Sequence, residues 1–325
     1  MTPRIPAPGV EPHDLTLRPI TGPGELALFN RLPYTLNHEL ADDLAAGRRR
    51  PEWMWLALRG DRPLARVAWW GQAGAETPLV LDILDLDPDE DGTEAQRIAG
   101  LLLRKAAAQV IPDGAVPPEY SRFIPADWRT EETARRAVES RMAVLEGAGA
   151  RLMVERLRLE WRPGTPLPEP GGRLDFRPVR DTDELIDLMA RLLDGTLDAH
   201  SLADLRRMPP REAAVAHYEE EFAGFTSPRE WWQVATLPGS GEPVGFVIPA
   251  RNAYHPIIAY LGVLPEHRGR GHIDAILAEG TRLLAAQADV PRIRAATDLG
   301  NTPMANAFAR AGYVNFERAI TMVWD

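Results

Sequence analysis

The stretch richest in chemical content runs Tyr260-Leu-Gly-Val-Leu-Pro-Glu-His-Arg-Gly-Arg-Gly-His-Ile273. An apolar run reaches Pro265, passes through Arg268-Gly269-Arg270-Gly271, and enters a segment where Ile273, Ile276, Leu277, Gly280, Leu283 and Leu284 recur at helical spacing. Glycines between a strand and a helix let backbone N–H groups converge without side chains in the way. Those groups sit at a helix N-terminus, whose partial positive charge favours a phosphate. Arg268 and Arg270 add charge. No Gly-Lys-Ser/Thr follows, so the loop is not a Walker A sequence. No third glycine opens the helix, so it is not a dinucleotide fingerprint.

Other chemistry is limited by what the chain lacks. It has no cysteine, which excludes disulfides, thiolate nucleophiles and Cys-ligated zinc. Lys105 is the sole lysine, so Schiff-base catalysis would rest on it alone. No Gly-x-Ser-x-Gly elbow occurs. The histidines, His13, His38, His200, His217, His255, His267 and His272, show no metal-ligand spacing with acidic partners, and no metal is expected. His267 and His272 flank the glycine loop.

These residues need elements to hold them. Apolar patterning in the second half predicts a strand at 174–179, helices at 183–194 and 210–223, strands at 231–236 and 244–250 around a hairpin turn, and a strand at 257–264. A helix from about 271, a strand at 292–297, a helix at 302–311 and a strand near 317–324 follow. This order predicts an α/β fold, a mixed sheet with flanking helices. On the strand at 292–297 the two-residue period puts Ala296 and Asp298 on one side, so Asp298 is a candidate to reach the site.

The pattern occurs twice. Leu15-Thr-Leu-Arg-Pro-Ile20 recurs as Leu174-Asp-Phe-Arg-Pro-Val179, and the match runs on without a gap to Glu25-Leu26 and Glu184-Leu185. Leu84-Asp-Leu-Asp-Pro88 resembles Leu261-Gly-Val-Leu-Pro265. Leu145-Glu-Gly-Ala-Gly149 aligns with Phe308-Ala-Arg-Ala-Gly312, and Trp161 with Trp324. Matches in preserved order mark a tandem repeat. A Pro/Gly-rich stretch at 163–172 reads as a linker, giving domains at 13–162 and 173–325.

The whole chain has 325 residues, 45% hydrophobic and 26% charged, enough for two cores. Its net charge of −10 argues against a nucleic-acid partner and suits an amine-bearing substrate. No apolar run of membrane-spanning length and no signal-peptide pattern occur, so the expectation is a cytoplasmic protein without membrane association.

The glycine loop resembles motif A of the GNAT N-acetyltransferase superfamily, Arg/Gln-x-x-Gly-x-Gly/Ala, with Arg268, Gly271 and Ile273 at the motif positions and Ile273 replacing the final small residue. Asn301-x-x-Met304-x-x-x-Phe308-x-x-x-Gly312-Tyr313 resembles motif B of that family. The resemblance covers 173–325 and, through the repeat, extends to 13–162 as two tandem GNAT-like domains. It implies acetyl-CoA, or another acyl-CoA, as co-substrate, held by Leu261, Gly262 and Val263 along the pantetheine arm. Arg268, Gly269, Arg270, Gly271, His272, Ile273 and Asp274 would hold the phosphates, and Asn301 would contact CoA. It also implies acyl transfer to a small-molecule amine by direct attack, with His200 and Tyr218 near the acceptor.

Two family positions are altered. Phe308 stands where a tyrosine often protonates the departing thiolate, and Ala296 where some members carry a glutamate base. Asp298 and Tyr260 are the candidate catalytic replacements, with Tyr313 a further donor. The first copy reads Asp89-Glu-Asp-Gly-Thr-Glu-Ala-Gln96 after Pro88, which places Asp91 opposite Arg268 and Glu94 opposite Gly271. Carboxylates there repel a pyrophosphate, so the first domain reads as a degenerate copy. A non-catalytic acyl-CoA-binding protein and a GNAT-fold transferase using aminoacyl-tRNA remain the alternatives.

Overall fold

The computed structural model describes residues 15–167, 172–252, 254–288 and 290–324. Position 13, where the first domain was expected to begin, and residues 168–171 of the expected linker lie outside them. The chain divides into two compact units. One comprises residues 1–153 with 320–325, the other 154–319.

The first unit contains β1 (Leu15–Pro19), short helices α1 (Leu26–Phe29) and α2 (Leu40–Ala45), then β2 (Met54–Arg59), β3 (Arg62–Trp70) and β4 (Val80–Leu86). Helix α3 (Gly92–Val110), β5 (Tyr120–Pro125) and α4 (Glu132–Glu146) complete its own repeat up to β6 (Arg151–Trp161). Strands β1 to β4 pair antiparallel in sequence order, and β5 joins β4 in parallel. One face of this sheet packs on α3 and α4 through Leu64, Val67, Leu84, Ile98 and Leu102, the other on α1 and α2 through Phe29, Leu40, Met54 and Ile83.

The second unit repeats the order. It has β7 (Asp175–Pro178), α5 (Thr182–Leu192), α6 (Ala199–Leu205) and α7 (Pro210–His217), then β8 (Gln233–Thr236), β9 (Pro243–Arg251) and β10 (Pro256–Val263). Helix α8 (His272–Ala285), β11 (Ile293–Asp298), α9 (Thr302–Arg310) and β12 (Val314–Val323) follow. Helices α8 and α9 cover one face through Ile276, Leu277, Leu284 and Phe308. Helices α5 and α7 cover the other through Leu185, Met189, Phe222 and Phe246. Helix α6 was not anticipated. It is seven residues long, too short to show a periodic apolar face, and starts at the Asp198 N-cap, whose side chain accepts from the Ser201 N–H at 2.8 Å.

The repeat extends to individual side chains. Arg18 and Glu25 pair at 2.6 Å, and Arg177 and Glu184 pair at 2.6 Å. Each glutamate also accepts a backbone N–H four residues upstream, from Thr21 or Arg180. The hydrogen bonds from Arg18 and Thr21 hold Glu25 down to about 2. Burial pushes Glu184 up, but Arg177 and Arg180 outweigh it and hold that carboxyl at about 2 as well.

The compact units follow the repeat except at its last strand. β6 closes the first copy in sequence, yet it pairs antiparallel with β11, from Ile293 opposite Trp161 to Asp298 opposite Arg156. Trp161 and Leu159 are buried in the second unit's core. Conversely, Ile320 and Met322 of β12 lie in the first unit's core, with Trp324 packed against it. The end of each copy's last strand therefore counts with the other compact unit, Trp161 with the second and Ile320 and Met322 with the first.

Candidate active site

The site is built on β10, which has two unlike edges. Toward β9 the ladder runs to Val263 opposite Gly245. Toward β11 the parallel ladder consists of Ile257 opposite Arg294, after which the strands diverge. The Leu264 N–H donates to the Val244 carbonyl across β9 at 2.8 Å. Backbone groups of alternate residues face opposite edges, so those of Gly262 also face β9, while those of Leu261 and Val263 face the diverging side. Leu261 and Val263 can thus receive an extended ligand as an added strand. Gly262 has another task. A Cβ there would lie 2.4 Å from Leu192 of α5, so glycine permits that helix to close on the strand.

Eight residues, 264–271, connect β10 to α8. Gly269 and Gly271 have φ of 76° and 75°, the left-handed region that favours glycine. Gly271 is the N-cap of α8, and no side chain caps the helix. The first N–H groups of α8 are thus offered at a backbone turn free of side chains, at the positive end of a fourteen-residue helix.

The loop's side chains do other work than the motif implies. The Arg268 guanidinium donates to the carbonyls of Leu192 (2.8 Å), Asp194 (2.6 Å) and Val263 (3.0 Å). It caps the C-terminal end of α5 and clips the loop to it. Asp274 is paired with Arg310 of α9 at 2.6 Å, which occupies its carboxylate. Asn301 caps α9, its Oδ1 accepting from the Met304 N–H at 3.2 Å. Ile273 is half-buried and Arg270 exposed. His272 is buried, and burial, with Arg173 nearby, pushes its pKa down, keeping the ring neutral. His267 is also buried and stands 3.1 Å from Glu242.

At the other end of β10, a bulge between Ile258 and Tyr260 turns Ala259 and Tyr260 both onto the α5/α7 face. Tyr260 lines a small cavity, ≈ 10 Å³, with Ser201, Asp204, His217, Met189, Leu193, Ala213 and Ala214. Its ring stands 5.2 Å from that of His217, edge-on. Burial, reinforced by Asp198 and Glu221, pushes the Tyr260 phenol well above its ordinary value. The phenol stays protonated and can donate a hydrogen bond. It cannot readily give its proton to a thiolate, because a thiol is the stronger acid, at about 8.5.

Asp298 ends β11, 3% exposed. Its Oδ2 accepts from the Ala199 N–H at 2.7 Å, and its Oδ1 lies 3.0 Å from Arg156 Nε. Burial and Asp198 push its pKa up, against that N–H and Arg156. Asp298 thus holds the start of α6 through Oδ2, while its buried Oδ1 is ion-paired with Arg156 but accepts no hydrogen bond. The buried Tyr313 hydroxyl is spent, 2.8 Å from Thr281 Oγ1. Phe308 is a core residue, its ring 5.0 Å from that of Tyr313. His200 on α6 and Tyr218, whose hydroxyl is 3.4 Å from Thr182 Oγ1, do not line the cavity with Tyr260. His217 does, and no motif or spacing singled it out.

A strand with an open edge, a glycine loop and an uncapped helix, in that order, agree with what sequence comparison finds. Residues 185–313 match the model of the acetyltransferase (GNAT) family. The C-terminal half is a GNAT acetyltransferase domain. The fold of the whole chain is that of tandem GNAT proteins. A GCN5-related N-acetyltransferase from Sphaerobacter thermophilus superposes with a TM-score of 0.57 at 17% identity, over 96% of this chain and 96% of that one. A tandem GNAT protein from the clavulanic acid biosynthesis pathway gives 0.52 at 14% identity, over 95% and 97%. The glucosamine N-acetyltransferase region of a fungal multi-domain GH3 beta-N-acetylglucosaminidase gives 0.54 at 15%, over 96% of this chain and 38% of that one. Among curated proteins none matches the sequence at a significant level. The GNAT family implies acyl transfer from acyl-CoA. Among the described residues no cluster of metal-ligating side chains occurs, and no helix is long and apolar enough to cross a membrane.

Proposed function

We propose that the protein is a CoA-dependent N-acyltransferase, most simply using acetyl-CoA, that acts on a small amine and binds CoA once per chain, in the second unit. The observation that carries this reading is the contrast at the two helix starts. The N-terminus of α8 is uncapped behind Gly271, whereas that of α3 is closed by its own Asp91, which accepts from the N–H groups of Thr93 and Glu94 at 3.1 and 3.2 Å. Pyrophosphate oxygens would take the backbone donors of Gly271 to Ile273, and the pantetheine arm those of Leu261 and Val263. This assigns the loop's anion binding to backbone dipoles, with the Arg268 side chain as scaffold. An amine entering from the α6/α7 side would meet the thioester beside Tyr260. Holding both reactants in line supplies up to about 7–11 kcal/mol in well-oriented systems.

Calorimetry with CoA tests the binding half of this reading. One site per chain is expected, and Gly271→Glu should abolish it, because a side chain at φ 75° is strained and its carboxylate repels phosphate. Two equivalent sites, or full affinity in the variant, would refute it. Release of CoA from acetyl-CoA in the presence of amines tests the catalytic half. Binding without any turnover would favour a non-catalytic acyl-CoA-binding protein.

A further inference from the structure

We propose that His217 is the catalytic base that takes the proton from the incoming amine, with Glu221 as its positioning residue; this rests on the acyltransferase reading above. Three independent features of the chain converge on this imidazole. The first is its backbone. His217 is the last residue of α7, and the helix then widens into a π turn, Tyr218–Phe222, closed by the Ala223 N–H donating to the Tyr218 carbonyl at 2.8 Å. Such turns are rare, and they persist where they aim a side chain. Here the turn sets Glu221 Oε2 3.0 Å from His217 Nε2.

The second feature is the tautomer this contact selects. A carboxylate only accepts, so Nε2 carries the hydrogen and Nδ1 is left as the basic nitrogen. The developing imidazolium is stabilised by the same carboxylate. Two rings restrain the imidazole plane, Phe222 at 4.7 Å and Tyr260 at 5.2 Å between centroids.

The third feature is the cavity. His217 and Tyr260 share it with Ser201 and Asp204, and among the described residues no lysine or arginine lines it. Its ≈ 10 Å³ is at the lower limit for one water molecule. Tyr260 immediately precedes Leu261, the first of the β10 residues that face the diverging edge. Among the described residues, the titratable groups that contact His217 or line the cavity with it are Glu221 from the π turn, Tyr260 from β10 and Asp204 from α6, so a cationic ammonium arriving there meets carboxylates and a neutral phenol.

The step balances as follows. The ammonium gives one proton to His217 Nδ1, directly or through one water. Its nitrogen lone pair then forms the bond to the thioester carbonyl carbon. The C–S bond breaks with its electron pair on sulfur, and the second amine proton passes to that sulfur. The products are the N-acyl amine and CoA thiol. The His217 side chain is 33% exposed, so the imidazolium can return its proton to solvent.

The test compares acceptors that differ in their need for a base. Butylamine, phenethylamine and putrescine are protonated at neutral pH, whereas hydroxylamine is largely neutral there and needs none. With acetyl-CoA as donor, His217→Gln should slow transfer to the alkylamines by about 10²–10⁴-fold, the usual range for general-base help. Transfer to hydroxylamine should fall far less, and the alkylamine rate should recover as pH rises. Glu221→Gln should lower kcat for the alkylamines far more than for hydroxylamine with KM little changed, because the carboxylate fixes the tautomer that leaves Nδ1 basic. Equal losses with both acceptor types, in His217→Gln or in Glu221→Gln, would overturn the proposal and leave a structural role. A wild-type protein that binds CoA but acylates none of these acceptors would overturn the acyltransferase reading itself, and this assignment with it.

Discussion

The diverging ends of β4 and β5 in the first unit and of β10 and β11 in the second are the same architectural feature with opposite contents. Each parallel ladder is a single pair, Leu81 with Tyr120 and Ile257 with Arg294. In the first unit the gap is bridged from inside. Asp85, the penultimate residue of β4, accepts from Arg122 of β5 at 2.6 Å, from Arg141 of α4 at 2.9 Å and from Arg66 of β3 at 2.9 Å. Arg122 also lies 3.7 Å over the Tyr34 ring. Burial alone would push the Asp85 carboxyl up, but its three arginines hold it well below the usual carboxylate range. In the second unit the penultimate residue of β10 is Gly262, which has no side chain to put there.

The loops that follow differ in the same sense. Five residues, 87–91, join β4 to α3, against eight, 264–271, between β10 and α8. The first copy is thus shorter by three, and the residue equivalent to Gly271 at the helix start is Asp91, not the Glu94 that an ungapped alignment selects. The first unit thus has its own carboxylates, Asp85 and Asp91, at the two places where the second has Gly262 and Gly271.

The largest way to break this comparison is to remove the plug. Asp85→Ala leaves three buried or half-buried arginines without their shared partner, and should destabilise the first unit by about 3–5 kcal/mol in chemical denaturation. A neutral effect would mean the cluster is incidental. Next, Gly262→Ala sets a Cβ against Leu192 and should cost the second unit about 1–3 kcal/mol, the range for overpacking. The same denaturation experiment reads it, and a silent substitution would show that α5 gives way freely.

Smaller effects sharpen the contrast at the helix starts. Asp91→Ala removes the α3 cap and should cost about 0.5–2 kcal/mol. It should not create a second CoA site in calorimetry, because Arg122 and Asp85 still close the gap behind the loop. The smallest effect concerns the feature the two units share. Glu25 and Glu184 are both held at about 2, so the stability they add is complete above the ordinary glutamate value, about 4.3. It is lost as pH falls from there toward about 2. Acid titration followed by circular dichroism should therefore show Glu25→Gln and Glu184→Gln each flattening the acid limb alike, and a marked difference between them would break the equivalence.

Much of this molecule was legible in its residues. Apolar periodicity placed the strands and the longer helices of the second half within a few positions, because burial of one face is a local, repeating demand. Gly269 and Gly271 were legible because a left-handed turn excludes other side chains. The repeat was legible because Arg18 with Glu25 and Arg177 with Glu184 solve the same local problem seven residues apart. What lay beyond the sequence were the partners of side chains whose neighbours arrive from distant segments. Arg268 reads as a phosphate ligand until α5 ends beside it and takes its guanidinium. Asp298 reads as a base, and only the fold shows its Oδ2 holding the start of α6 and its Oδ1 facing Arg156. His217 carries no motif, and acquires meaning only when a π turn brings Glu221 to one nitrogen and a bulge in β10 turns Tyr260 toward its ring. The placement of β6 and β12 is of the same kind. Trp161 and Ile320 pack among residues distant in sequence, and a local apolar pattern does not name those neighbours.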